Sequence, residues 1–266
     1  MVLDRVKQIL SHLTPPNSPS TSPYPGLSYH VGPHSPPLKH VTLAQLLQEQ
    51  VLLNGDGEAV VSAWQNIRWT YRDLHEKSNT LAKCFYALGI RKRDRMAIMA
   101  GNCAEYVAVA WTMPWNHLIF RRSLLLLRLE QYWQWSILLT RKRNLNLLWR
   151  KLVSSDFRMG LTLETKLFIT TPKLNQRSHI PLIKHLVPSL SLESPSPVLP
   201  SLEHIIIINN SATIPSELSN FLTFDHLPTA DVDLTHLQST LSEHDVVNLQ
   251  FTSGTTGSSK AAMLTH

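Results

Sequence analysis

Ile205, Ile206, Ile207 and Ile208 stand in a row, after His204 and before Asn209 and Asn210. β-Branched side chains are stiff at χ1 and pack well on a pleated surface. A strand with one wet face alternates apolar and polar residues, whereas this run is apolar throughout. It predicts a strand buried on both faces, as in a parallel sheet covered by helices. Lys166, Leu167, Phe168, Ile169 and Thr170 form a second strand of the buried type. Strand and helix patterns alternate around these two, which points to a doubly wound α/β fold. The 266 residues suffice for one large or two small domains with a real core.

The segments before these strands carry their own signals. Residues 41–51 have helical spacing, with Thr42 as the cap. Residues 58–62 and 67–71, rich in Val, Ile, Trp and Tyr, read as two short strands around a turn. From Thr70 onward, Leu74, Ser78, Leu81, Ala82, Phe85 and Leu88 fall on one helical face. Thr70 with Asp73 makes a capping-box-like start, and Gly89 supplies the stop. Residues 93–99 read as a turn and a short strand. Asn102 opens a second helix, whose apolar side is read as Tyr106, Val107, Val109 and Ala110. Later, 182–186 reads as a helix, 221–227 as a short strand or turn, and 231–241 as loop then helix.

The chemistry concentrates in one stretch, Thr252, Ser253, Gly254, Thr255, Thr256, Gly257, Ser258, Ser259 and Lys260. An apolar-leaning strand, 246–251, leads in, and a short apolar run, 261–264, leads out. Glycines let backbone N–H groups approach a ligand, hydroxyls add donors, and lysine adds a point charge. That combination suits polyphosphate. A Walker P-loop needs four residues between its glycines and then Lys-Ser/Thr. Here two residues separate Gly254 from Gly257, so the spacing excludes it.

This stretch resembles the phosphate-binding signature of the adenylate-forming (AMP-binding) enzymes, the acyl-CoA synthetase superfamily. Met263, Leu264, Thr265 and His266 follow the same pattern, while Ser259 and Ala261 stand where the family usually has Pro and Gly. A second block, from Thr70 through Gly89 and Asp94 to Asn102 and Glu105, resembles the family's amino-terminal subdomain. Together the blocks cover about 42–110 and 167–266. The resemblance implies an incomplete N-terminal part of the adenylate-forming fold, with mixed and parallel sheets flanked by helices. It implies ATP-dependent activation of a carboxylic acid through an acyl-adenylate, then transfer to CoA. Among relatives, the wording around Phe251 is most similar to the medium-chain fatty acyl-CoA synthetases. ATP, Mg2+ and CoA are the implied cofactors and substrates. Thr252, Ser253, Gly254, Thr255, Thr256, Gly257 and Lys260 are the implied phosphate contacts; no catalytic residue and no metal ligand is assigned. The family's adenine, ribose and acyl-pocket motifs, and its later catalytic lysine, have no counterpart in these residues. The expectation is therefore a truncated synthetase that keeps the phosphate loop and is inactive alone.

Two regions depart from the pattern. Residues 1–37 read as a short helix and a disordered tether, the latter holding nearly half of the seventeen prolines with many serines. Residues 1–13 carry weak features of a presequence, leaving a cytoplasmic or a mitochondrial location open. The domain proper is placed at 38–266, interrupted by an anomalous basic, Trp-rich segment at 112–160. Residues 115–152 contain eight Lys/Arg, one acid and four of the seven tryptophans. The segment's +7 exceeds the whole chain's +6, so the rest sums to −1. A shifted reading frame or misread splice site, a divergent helix pair, or a basic module for nucleic acid or anionic lipid would each produce such a patch. The last is the alternative function; on the main reading no nucleic-acid partner is expected. Two cysteines, Cys84 and Cys103, imply no disulfide framework. Thirteen histidines show no metal-site spacing, and no apolar run approaches the ~20 residues of a spanning helix.

Overall fold

The computed structural model describes residues 39–112, 117–120, 164–174, 177–188, 196, 199–210, 214–252 and 260–266. The helix and tether expected at 1–37 lie outside these residues, as does most of the basic segment.

The first helix, α1 (Leu43–Asn54), begins where the side chain of Thr42 accepts the Gln45 amide and Gln45 reaches back to the Thr42 amide. That capping box satisfies two backbone donors that the first turn leaves open. Strands β1 (Glu58–Ser62) and β2 (Ile67–Thr70) pair antiparallel across a 3-10 turn that ends at Asn66 with φ 54°. Helix α2 (Tyr71–Ala87) has the expected box between Thr70 and Asp73, and it buries Leu74, Ser78, Leu81, Ala82 and Phe85. Gly89 follows its end with φ 77°, a left-handed turn that suits glycine.

Strand β3 (Arg95–Met99) leads to α3 (Ala104–Thr112), where the expected face needs correction. The buried residues are Ala104, Ala108, Val109 and Thr112; Tyr106, Val107 and Ala110 are only half-buried. α3 packs close to α2, with the Thr112 hydroxyl 3.4 Å from the Ser78 carbonyl and the Ser78 hydroxyl 3.5 Å from the Ala108 carbonyl. Close approach selects small residues, and a hydrophobicity pattern passes over them.

The remaining elements are β4 (His117–Phe120), β5 (Thr165–Thr170), the small hairpin β6 (Lys173–Leu174) and β7 (Arg177–Ser178), α4 (Ile180–Leu186), β8 (His204–Ile207), β9 (Leu222–Thr223), α5 (Leu234–Ser239), β10 (Val246–Thr252) and β11 (Lys260–Thr265). β4 falls within the segment set apart at 112–160, and it lies between β3 and β10, parallel to both. Its apolar run, Leu118 to Phe120, sits between Asn116-His117 and Arg121-Arg122, too short for periodicity to identify.

The main sheet has seven strands in the order β11-β10-β4-β3-β5-β8-β9, all parallel except β11. Strand alternation splits its core in two. Met96, Ile98, Leu167, Ile169 and Ile206 join Leu81 and Phe85 of α2 and Val109 of α3 on one face. Phe168, Ile205 and Ile207 join Ile183 and Leu186 of α4 on the other. The isoleucine run is thus buried on both sides, as its composition requires. Each fully buried side chain of this size contributes about 1.5–3 kcal/mol. Among the described residues, no helix is long and apolar enough to cross a membrane.

Candidate functional site at the carboxyl edge of the sheet

In open parallel sheets, the carboxyl ends of the strands carry the ligand-binding loops. Here β3, β4, β5, β8 and β10 all end on one edge, as their parallel pairing dictates. The Ser/Thr/Gly stretch leaves the sheet at that edge.

β10 and β11 form an antiparallel hairpin, and Thr252 faces Lys260 as its closing pair. The structure therefore brings the first and last residues of the predicted phosphate loop together at one place in the sheet. Ser253, Gly254, Thr255, Thr256 and Gly257 lie between them, outside the described residues. β10 is held on its other side by β4, with Asn248, Leu249 and Gln250 opposite Leu118, Ile119 and Phe120. The residues that flank the Gly- and hydroxyl-rich stretch, Thr252 and Lys260, are thus ladder partners.

The neighbouring strand ends carry a polar cluster that the sequence did not single out. The Thr170 hydroxyl donates to the Met99 carbonyl (3.0 Å), tying β5 to β3. His179, 3 % exposed, donates from Nδ1 to the Thr171 carbonyl (2.9 Å), with the Thr170 hydroxyl at 3.1 Å. Its backbone amide donates to the Pro172 carbonyl (2.8 Å), closing the turn that holds β6 and β7. Burial depresses the imidazole pKa to about 4, only partly offset by the Thr171 carbonyl. At neutral pH it is an uncharged fastener and no proton acceptor toward a ligand. Nothing in the sequence separates His179 from the other twelve histidines; only the turn makes it special.

Cys103, after β3, is buried, and its thiol is pushed up to about 12, chiefly by burial. It is therefore a poor nucleophile. Beside it, an apolar cleft of about 650 Å3 is lined by Val60, Val61, Ala100, Gly101, Tyr106 and Val107. The Trp64 indole N–H bonds the Asn102 carbonyl (2.7 Å) at its rim. Among the described residues no three His, Cys, Asp or Glu side chains gather as a metal site.

Comparison with known proteins speaks to the fold and the family. Residues 47–112 match the family model described as AMP-binding enzyme. The chain is 34 % identical over 267 residues to an acyl-CoA ligase, sidI, of Aspergillus fumigatus, covering 98 % of this chain and 39 % of the relative. It is 25 % identical to the mitochondrial medium-chain acyl-CoA ligase ACSF2 of Danio rerio, covering 94 % of this chain and 38 % of that protein. The chain thus spans under two fifths of the length of these curated relatives. In fold it resembles the anthranilate CoA ligase AuaEII, solved with anthranoyl-AMP, at a TM-score of 0.57 and 16 % identity, over 85 % of this chain and 35 % of that one. A long-chain fatty-acid CoA ligase from Rhodopseudomonas palustris gives 0.54 at 14 % identity, over 85 % and 44 %.

Proposed function

We propose that this chain, which over the residues it spans belongs to the AMP-binding, acyl-CoA ligase superfamily, grips the phosphates of ATP through the loop from Thr252 to Lys260. One observation carries the reading. Thr252 and Lys260 are paired at the carboxyl end of a parallel sheet, and Ser253, Gly254, Thr255, Thr256 and Gly257 stand between them. Backbone N–H groups at the glycines and the hydroxyls would surround phosphate oxygens, and Lys260 would offset their charge. A carboxylic acid that attacks the α-phosphate makes pyrophosphate the leaving group. Positioned donors that hold the leaving charge are the chief catalytic need of that step. The residues present fit a triphosphate carrying Mg2+, since the loop offers hydroxyls and a cation but no carboxylate of its own; the ion would further screen the leaving group. A medium-chain acid is the proposed substrate, a reading that the Danio relative's name supports, and CoA the proposed thiol acceptor.

The phosphate grip is separable from the whole reaction. These 266 residues are proposed to bind MgATP without forming the acyl-adenylate. Equilibrium dialysis of MgATP against the chain and its Lys260→Ala variant tests the grip. A charge-assisted contact is worth about 1.5–3 kcal/mol, so binding should weaken roughly ten- to hundredfold. Equal affinities would refute it. Acid-dependent ATP–pyrophosphate exchange above the Lys260→Ala baseline would show that the chain completes the first step by itself.

A further inference from the structure

The hairpin that carries the loop is fastened at its far end by a residue outside the loop. His266 follows β11, one step beyond the Val246–Thr265 pair that opens the hairpin. Its imidazole Nδ1 accepts the backbone N–H of Leu43 at 2.9 Å, across 223 positions of sequence. Leu43 is the first residue of α1, and its amide is one the capping box does not reach. The capping box serves Thr42 and Gln45; His266 serves Leu43. The acceptor role fixes the tautomer, because Nδ1 must be bare and the proton must sit on Nε2. Nε2 is itself buried and has no partner among the described residues.

Two charged groups act on the ring. Asp245, in the turn before β10, favours its cation, while Lys92, between α2 and β3, opposes it. Lys92 pairs with Asp245 at 2.7 Å and donates to the Thr240 carbonyl at 2.7 Å, so it is held in place. The Asp245 carboxyl also accepts the Ser242 amide and is held below the usual carboxylate range, first by Lys92. Burial, the largest influence, keeps the His266 imidazole neutral further into acid than a free one. Protonation would place an N–H at Nδ1 directly against the N–H of Leu43, two donors face to face.

We propose that His266 is a positioning residue: its neutral imidazole latches the β10–β11 hairpin onto the first turn of α1, and acid releases the latch. The consequence for ATP rests on the phosphate-loop reading, but the latch itself does not. Amide hydrogen exchange on the full chain separates the two. In His266→Ala at pH 7.5, the Leu43 amide and the β11 amides should exchange about tenfold faster, while β5 and β8 stay unchanged as an internal control. Wild type should show the same acceleration, corrected for intrinsic rates, as pH falls below the range in which a free imidazole titrates. His266→Asn, which offers a carbonyl acceptor that does not titrate, should restore protection and remove the pH dependence. Unchanged exchange in His266→Ala, or the same pH profile in wild type and His266→Asn, overturns the latch. MgATP dialysis on the same variants then reads the loop. Weaker binding in His266→Ala with rescue in His266→Asn supports positioning, and equal binding despite faster exchange refutes it. Wild type that binds no MgATP at all would sink the phosphate-loop reading and leave the exchange result to decide the latch.

Discussion

Replacing His179 by asparagine should flatten the acid limb of this protein's stability curve. The ring is buried at the end of β5, and its pKa falls from 6.5 to about 4, chiefly through burial. Folding therefore favours the neutral form. Below pH 6.5 the unfolded chain takes up a proton at this site and the folded chain does not, so stability drops as pH falls. The loss begins near 6.5, the unfolded value, and levels off near 4, the folded one. Above 6.5 both states are neutral there and the contribution is complete. At 1.36 kcal/mol per pKa unit, the window is worth about 3 kcal/mol. With a urea m-value of about 2–3 kcal/mol per molar, the midpoint should fall by roughly 1 M between pH 6.5 and 4 from this residue. The assay is urea unfolding by tryptophan fluorescence, at half-unit steps, on wild type and His179→Asn. The variant should be weaker at pH 7, because it loses the bonds to Thr170 and Thr171. The test lies in the difference between the curves, from which the carboxylates and other histidines cancel. Curves that stay parallel from pH 6.5 to 4 would refute both the burial argument and the neutral state assigned to His179.

Further outcomes follow from the packing and the charge pattern. Phe85→Ala opens the core at a fully buried position between α2 and the sheet and should cost about 3–5 kcal/mol in chemical unfolding. Gly89→Ala meets no atom within 4 Å, so its cost should come from the positive φ alone, about 1 kcal/mol by the same measurement. A larger loss would mean that the turn is crowded. Changing Arg141, Lys142 and Arg143 together to alanine should leave binding to RNA and to anionic vesicles unchanged at 150 mM salt. A salt-sensitive loss would revive the basic-module alternative for residues 115–152.

Much of this molecule is legible in its sequence, and the reason is local. The cap at Thr42, the capping box at Thr70, the stop at Gly89 and the isoleucine run of β8 each depend on neighbours within a few residues. Their propensities and spacings agree with the fold they enter. The proposed phosphate loop is read on a different ground, since hydroxyls, glycines and a lysine are residue types that a ligand would dictate more than the surroundings. What the sequence obscured depends on distant partners. The small face of α3 is selected by the approach of α2, and periodicity ranked Tyr106 and Val107 above Ala104 and Ala108. β4 has only four residues, and its place is set by the backbone edges of β3 and β10. His179 reads as one histidine among thirteen, and His266 only as the end of the pattern that follows the loop. Only the tertiary structure gives one a buried turn at the end of β5 and the other an amide 223 positions away, because a hydrogen bond's value is fixed by where its partner lies.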